Sequence, residues 1–262
     1  MKLIQGIVAG MVLAMGALRG WGEEIRVSVA ISLQEAVTAV AKEYKAGGGD
    51  DVTFTFGSSG QLATQIKDGA DIDAFISAAN RQVDDLEKAG LTVAGTRRVV
   101  VGNTLVLIVP AVAKDAPRSF ADLADPRYRK IAIGEPRSVP VGEYASQTLI
   151  ALKLNETLTD RLILGANVRQ VLTYVENGDV AAGLVYLTDA KQSGDKVRVV
   201  ATADERTHEP IVYPGVVIKA SKKQPAAGKF LDFLKTDKAK KVFTEKGFEV
   251  NVPAAAAAVP SK

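Results

Sequence analysis

The 262-residue sequence predicts an α/β protein of two lobes, each a mainly parallel sheet flanked by helices, with two extended crossings between them. Three observations predict it. Short β-branched or apolar runs alternate with segments whose apolar residues recur at helical spacing, the pattern of parallel strands joined by helices. That alternation occurs twice. Two long apolar extended runs then mark passages between the sets, one from Val99 to Val109 interrupted by Gly102-Asn103 and one from Tyr213 to Ile218.

In order, Ile25 to Val29 reads as the first strand. Leu33, Ala36, Val37, Val40, Ala41 and Tyr44 line one stripe of a helix that Gly47 to Gly49 end. Val52 to Phe56 is the second strand and runs into Gly57-Ser58-Ser59-Gly60. Gln61 to Asp68 is a helix, Ala74 to Ser77 a strand and Arg81 to Lys88 a helix stopped by Gly90. The second set has strand Lys130 to Ile133, helices Gly142 to Leu152 and Val168 to Glu176, and strands Ala181 to Val185 and Val197 to Ala201. Helices Gln224 to Leu234 and Lys238 to Lys246 follow the second crossing. The expected division is 23–101 for the first lobe, 102–212 for the second and 213–251 for a return to the first. An Ala-rich tail, 252–262, is expected to lack fixed structure.

Residues 1–22 have the layout of a cleaved secretory signal. Lys2 opens them, Leu3 to Leu18 is apolar apart from Gln5, and Gly20 and Gly22 precede a cut before Glu23. The apolar run is short for a membrane span, and no later run is longer, so a mature protein free of the membrane is expected. Of 33 basic residues the leader removes two, leaving 31 against 30 acids. Without a basic block or an aromatic–basic stripe, nucleic-acid binding has no support. The chain has no cysteine and one histidine, His208, which excludes thiol nucleophiles, a lipid-bearing cysteine and Cys/His metal sites. A free periplasmic protein, monomeric as suits a diffusing carrier, is the expectation.

In folds of this kind ligands sit where strands run into helices. Ser32 lies at the first such junction and forms S-x-x-E with Glu35, the capping-box pattern. A cap uses the hydroxyl oxygen and leaves its proton for a ligand. Ser59 lies in a second junction, where glycines let backbone N–H groups approach an anion. In the second set, Val141 precedes a helix and Val168 follows Asn167, an N-cap by type, so both offer unpaired N–H groups. Tyr186 ends a strand with its phenol. Each position alone reads equally as an ordinary cap, turn or framework residue. Together, four helix starts would aim donors at one cleft without any Lys or Arg, a neutral shell suited to a fully deprotonated dianion. The serines lack G-x-S-x-G spacing and a placed histidine, so a hydrolase has no support. Phosphate, which keeps a proton, would call for an acid; none occupies these five positions, although Glu143 and Asp189 are near in sequence.

V-S-V-A-I-S-L-Q-E-A, F-G-S-S-G-Q-L-A-T-Q-I, D-I-D-A-F-I-S-A-A, V-G-N-T-L-V-L-I-V-P, I-A-I-G-E-P-R-S-V-P-V-G-E-Y-A and N-V-R-Q-V-L-T-Y-V-E-N-G-D-V-A-A-G-L-V-Y occur here in order. Together they resemble the periplasmic molybdate-binding proteins of ABC importers, over nearly the whole mature chain. The resemblance implies the two-lobed periplasmic-binding-protein-like fold, no enzymatic activity and no cofactor. It also implies molybdate or tungstate as ligand and a membrane permease as partner. It places the ligand contacts at Ser32, Ser59, Val141, Val168 and Tyr186. Val141 stands where that family has a small residue, and Gly60 where a serine is more common. Another tetrahedral oxyanion in the same fold is the alternative, and an effector-binding domain of a transcription regulator is a further one, which the leader in place of a DNA-binding module disfavours.

Overall fold

Strand β1, Glu24–Ala30, alternates exposed and buried residues at its start and is then buried throughout, so it lies inside a covered sheet. Ile25, Val27 and Val29 have no exposed surface, and burying each contributes about 1.5–3 kcal/mol. The computed structural model describes residues 24–252, so the predicted leader and the tail beyond Val252 lie outside the described residues. From β1 the chain continues through α1 (Gln34–Ala46), β2 (Asp51–Gly57), α2 (Ser59–Lys67), β3 (Ala74–Ile76), α3 (Asn80–Lys88) and β4 (Arg98–Gly102). Then come β5 (Leu105–Pro110), β6 (Ile131–Gly134), α4 (Pro140–Ala151), α5 (Asn155–Leu158), β7 (Leu162–Gly165), α6 (Val168–Glu176) and β8 (Ala182–Tyr186). Helix α7 (Leu187–Gln192), β9 (Val197–Thr202), β10 (Val212–Val217), α8 (Gln224–Phe233) and α9 (Asp237–Glu245) complete it.

The strands form two five-stranded sheets, ordered β2-β1-β3-β10-β4 and β7-β6-β8-β5-β9. The two orders are the same wiring used twice. An inner strand (β1 or β6) leads to a neighbour on one side (β2 or β7), and the chain then crosses to the other side (β3 or β8), with parallel pairing throughout these three. The fourth strand in each order, β10 or β5, is antiparallel to both neighbours. Four strands of each sheet therefore point one way, as expected, and one runs in reverse. That reversed strand is the one by which the chain arrives from the other sheet. Asn103-Thr104 separates β4 in one sheet from β5 in the other, and residues 203–211 separate β9 from β10.

The single run expected from Val99 to Val109 is thus two strands in different sheets. Strand β7 and helix α7 were not expected. At four and six residues they are too short to show a period. Strand β10 joins the sheet of β1 to β4, and the Phe230 ring of α8 lies 5.3 Å from Tyr44 and 6.2 Å from Phe54. Among the described residues no helix is long and apolar enough to cross a membrane.

Candidate functional site

The reuse of one wiring has a geometric consequence. The carboxyl ends of β1, β2 and β3 in one lobe face those of β6, β7 and β8 in the other, at the points where the strand order reverses. Between them is a small cavity of about 220 Å³ including its mouth. Ile31 and Ser32 line it from the end of β1, Ser58 and Ser59 from β2, and Ala78 from β3. Pro140 and Val141 follow β6, Asn167 and Val168 follow β7, and Tyr186 ends β8. All five predicted positions are brought together, and among the described residues no charged side chain lines the cavity.

Ser32 is positioned differently from the expectation. Ile31–Leu33 is a 3-10 turn and α1 starts at Gln34, with Leu33 as an N-cap that has no side-chain bond. Because one turn runs into the other, no gap is left for a cap. The Ser32 hydroxyl instead lies 2.9 Å from the Tyr213 hydroxyl, and Glu35 turns to Arg169. Asn103 Nδ2 donates to the Tyr213 oxygen (3.2 Å) and to Thr188 Oγ1 (2.8 Å), while Asn103 Oδ1 accepts from the Thr104 N–H. Tyr213 is best satisfied by passing its own proton to Ser32 Oγ, which directs the Ser32 proton toward the cavity.

At the second junction the capping residue is Ser58, whose Oγ accepts from the Gln61 N–H. Ser59 is the first residue of α2, has no exposed surface, and accepts the Ala78 N–H on Oγ at 3.0 Å. Its proton is likewise left over. Helix α4 begins at Pro140, two residues earlier than expected, so Val141 is its second residue rather than one preceding it. Pro140 suits the first position because it has no N–H to satisfy, and the Val139 N-cap supplies no side-chain bond. The α4 start can press against the end of β6 because Gly142 has no Cβ; one there would overlap the Gly134 carbonyl. Asn167 caps α6 as expected, through the Gln170 N–H at 3.0 Å. Val141 and Val168 thus present first-turn N–H groups for which their helices offer no carbonyl.

Tyr186 is the most informative residue. It is 1 % exposed and its hydroxyl has no hydrogen-bond partner among the described residues. Leaving such a group unsatisfied costs about 1–3 kcal/mol, so the position calls for a ligand acceptor. Burial raises the Tyr186 and Tyr213 phenols well above the ordinary range, which keeps both as proton donors.

Neither acid noted in the sequence reaches the cavity. Glu143 is held by Arg81, Nε to Oε2 at 2.9 Å, and Asp189 lies 2.9 Å from Arg169 Nε. Asp189 is fully buried, and burial pushes its carboxyl up to about 7 against the pull of Arg169. A native pKa above the unfolded value of about 3.9 means the folded protein holds a proton that the unfolded chain has lost. This group therefore stabilises most at low pH, and its contribution falls as pH rises through about 7. Urea titrations from pH 4.5 to 7.5 should show wild-type stability declining relative to Asp189→Asn; parallel profiles would contradict this.

The sequence reading did not find Tyr213, Asn103 and the Ala78 N–H. Asn103 lies in the first crossing and Tyr213 in β10 just after the second, where a G-N pair and an apolar run read as framework. Arg169 was also missed, although it follows Val168 directly.

The profile of the bacterial extracellular solute-binding protein family matches residues 25–249. A molybdate-binding protein of Haemophilus influenzae is 37% identical over 94% of this chain and 98% of its own length. One of Escherichia coli is 34% identical over 95% and 98%. The periplasmic molybdate-binding protein of Azotobacter vinelandii has a similar solved structure, with a TM-score of 0.77, 25% identity and coverage of 87% of this chain and 99% of that one. With a profile match over nearly all described residues and two relatives this similar along their whole lengths, the chain belongs to the bacterial extracellular solute-binding protein family.

Proposed function

We propose that this protein captures molybdate, and tungstate as an ion of the same shape and charge, in the periplasm and delivers it to the permease of an ABC importer. The observation that carries the oxyanion reading is the buried, unpartnered Tyr186 hydroxyl, in a neutral cavity where helix starts from both lobes converge. Ser32, Ser59 and Tyr186 donate hydroxyl protons and Val141 and Val168 donate N–H groups. Each charge-assisted bond contributes about 1.5–3 kcal/mol, enough in sum to offset desolvation of a dianion. The names of the similar proteins support molybdate as the ion.

The donor set disfavours phosphate, because a protonated anion needs an acceptor and both nearby acids are turned away to arginines. Catalysis has no support either. His208 lines a different cavity, near the crossings, and its Nδ1 is engaged with the Glu209 carbonyl at 2.7 Å. The ligand is cargo rather than a cofactor, and a monomer with lobes 23–101 plus 213–251 and 102–212 suffices. Capture proceeds by closure: one lobe binds the anion, the other adds its donors, and the closed form docks on the permease.

Calorimetric titration with molybdate, tungstate, sulfate and phosphate tests this directly. Molybdate and tungstate should bind one per chain and far more tightly than the other two; preference for sulfate or phosphate would overturn the assignment. Tyr186→Phe should weaken molybdate binding by about tenfold or more and lower the thermal midpoint of the anion-free protein by no more than about 2 °C, if at all. Undiminished affinity would remove Tyr186 from the site.

A further inference from the structure

Arg169 belongs to neither the cavity lining nor the donor set, yet it bridges an element of each lobe beside them, α7 and α1. It is the second residue of α6, directly after Val168. Its Nε lies 2.9 Å from Asp189 Oδ1, on α7 three residues after Tyr186, and its Nη2 donates to Glu35 Oε2 at 2.8 Å, on α1 three residues after Ser32. We propose that Arg169 is a positioning residue for the anion site, binding the Val168 and Tyr186 elements to each other and latching them to Glu35 of the opposite lobe.

The two carboxylates have unequal roles. Asp189 has no exposed surface and belongs to the same lobe as Arg169, 2.9 Å from its Nε, so Arg169 stays with Asp189 whether the lobes are together or apart. The Glu35 side chain is 39 % exposed and sits on the other lobe, so it is the partner that comes and goes. The Glu35 contact is a hydrogen bond and the Asp189 contact an ion pair, both made from one rigid guanidinium plane, which a lysine would not supply. The guanidinium lies against these two carboxyl groups and outside the cavity lining, so the cavity keeps a neutral shell despite a cation one residue away. Closure therefore does two things at once: it brings the lobes' donors together and locks Val168 and Tyr186 in register.

This inference rests on the proposed anion site, and the experiment separates the two. In stopped-flow measurements with molybdate, Glu35→Gln, which removes only a surface charge, should leave association within about twofold and speed dissociation about fivefold. A double-mutant cycle with Asp189→Asn should show a combined loss smaller than the product of the single losses, because both act through Arg169. Should Asp189→Asn not fold, Glu35→Gln with Arg169→Lys forms the same cycle. Unchanged dissociation in Glu35→Gln, or losses that simply multiply, would overturn the latch. If wild type fails to bind molybdate, the site itself is wrong; if wild type binds, Tyr186→Phe binds poorly and Glu35→Gln behaves as wild type, only the latch is wrong.

Discussion

Gly60→Ala is expected to weaken molybdate binding by roughly 10- to 100-fold while making the anion-free protein slightly more stable. Gly60 lies in the first turn of α2, and its N–H donates to the Ser138 carbonyl at 2.9 Å, a bond between the two lobes. A Cβ there would lie 2.5 Å from Ser138 O and 2.7 Å from Ser138 Cα, both backbone atoms that cannot swing aside. Relieving such an overlap costs about 1–3 kcal/mol, which is the expected loss. With the lobes apart the clash does not exist, and alanine is a better helix residue than glycine by about 1 kcal/mol. Calorimetry and thermal unfolding of the same sample check both signs. Full affinity, or a destabilised anion-free protein, would count against lobe closure as the source of affinity.

Ser59→Asp should abolish binding, by on the order of a thousandfold or more, with the fold retained. Ser59 is fully buried at the cavity, and its Oγ already accepts the Ala78 N–H, a role a carboxylate oxygen can assume. At the first position of α2 a carboxylate is favourable to the helix by about 0.3–1 kcal/mol. Against a dianion it is repulsive by about 4 kcal/mol per pair of unit charges at ~4 Å. Near-ultraviolet circular dichroism would verify the fold, and affinity within about threefold of wild type would show that Ser59 faces no anion.

How much of this was legible in the sequence follows the physics of each signal. The parallel β-α alternation was readable because buried strands are nearly continuous apolar runs and helices carry a 3.6-residue stripe. The sense of β5 and β10 was not, since strand direction depends on what lies alongside. The five cavity positions were readable as helix starts, but their local hydrogen bonds were only partly so. Asn167 caps as its type predicts, whereas Ser32 does not, because its S-x-x-E pattern competes with a 3-10 turn and with Tyr213, 181 residues away. Such long-range polar contacts leave no periodic trace. Arg169 was invisible as a positioning residue because nothing local distinguishes it from other charged helix residues.

In this protein a tetrahedral dianion is expected to be held by neutral donors from both lobes. The most direct measurement of this is a crystal structure with molybdate, using the anomalous signal of molybdenum. The predicted result is a single peak in the cavity between Ser59 and Tyr186, its oxygens within hydrogen-bond distance of those hydroxyls and of the Val141 and Val168 N–H groups. A peak instead in the basic cavity lined by Lys114, Arg118, Arg127 and Arg198 would contradict it.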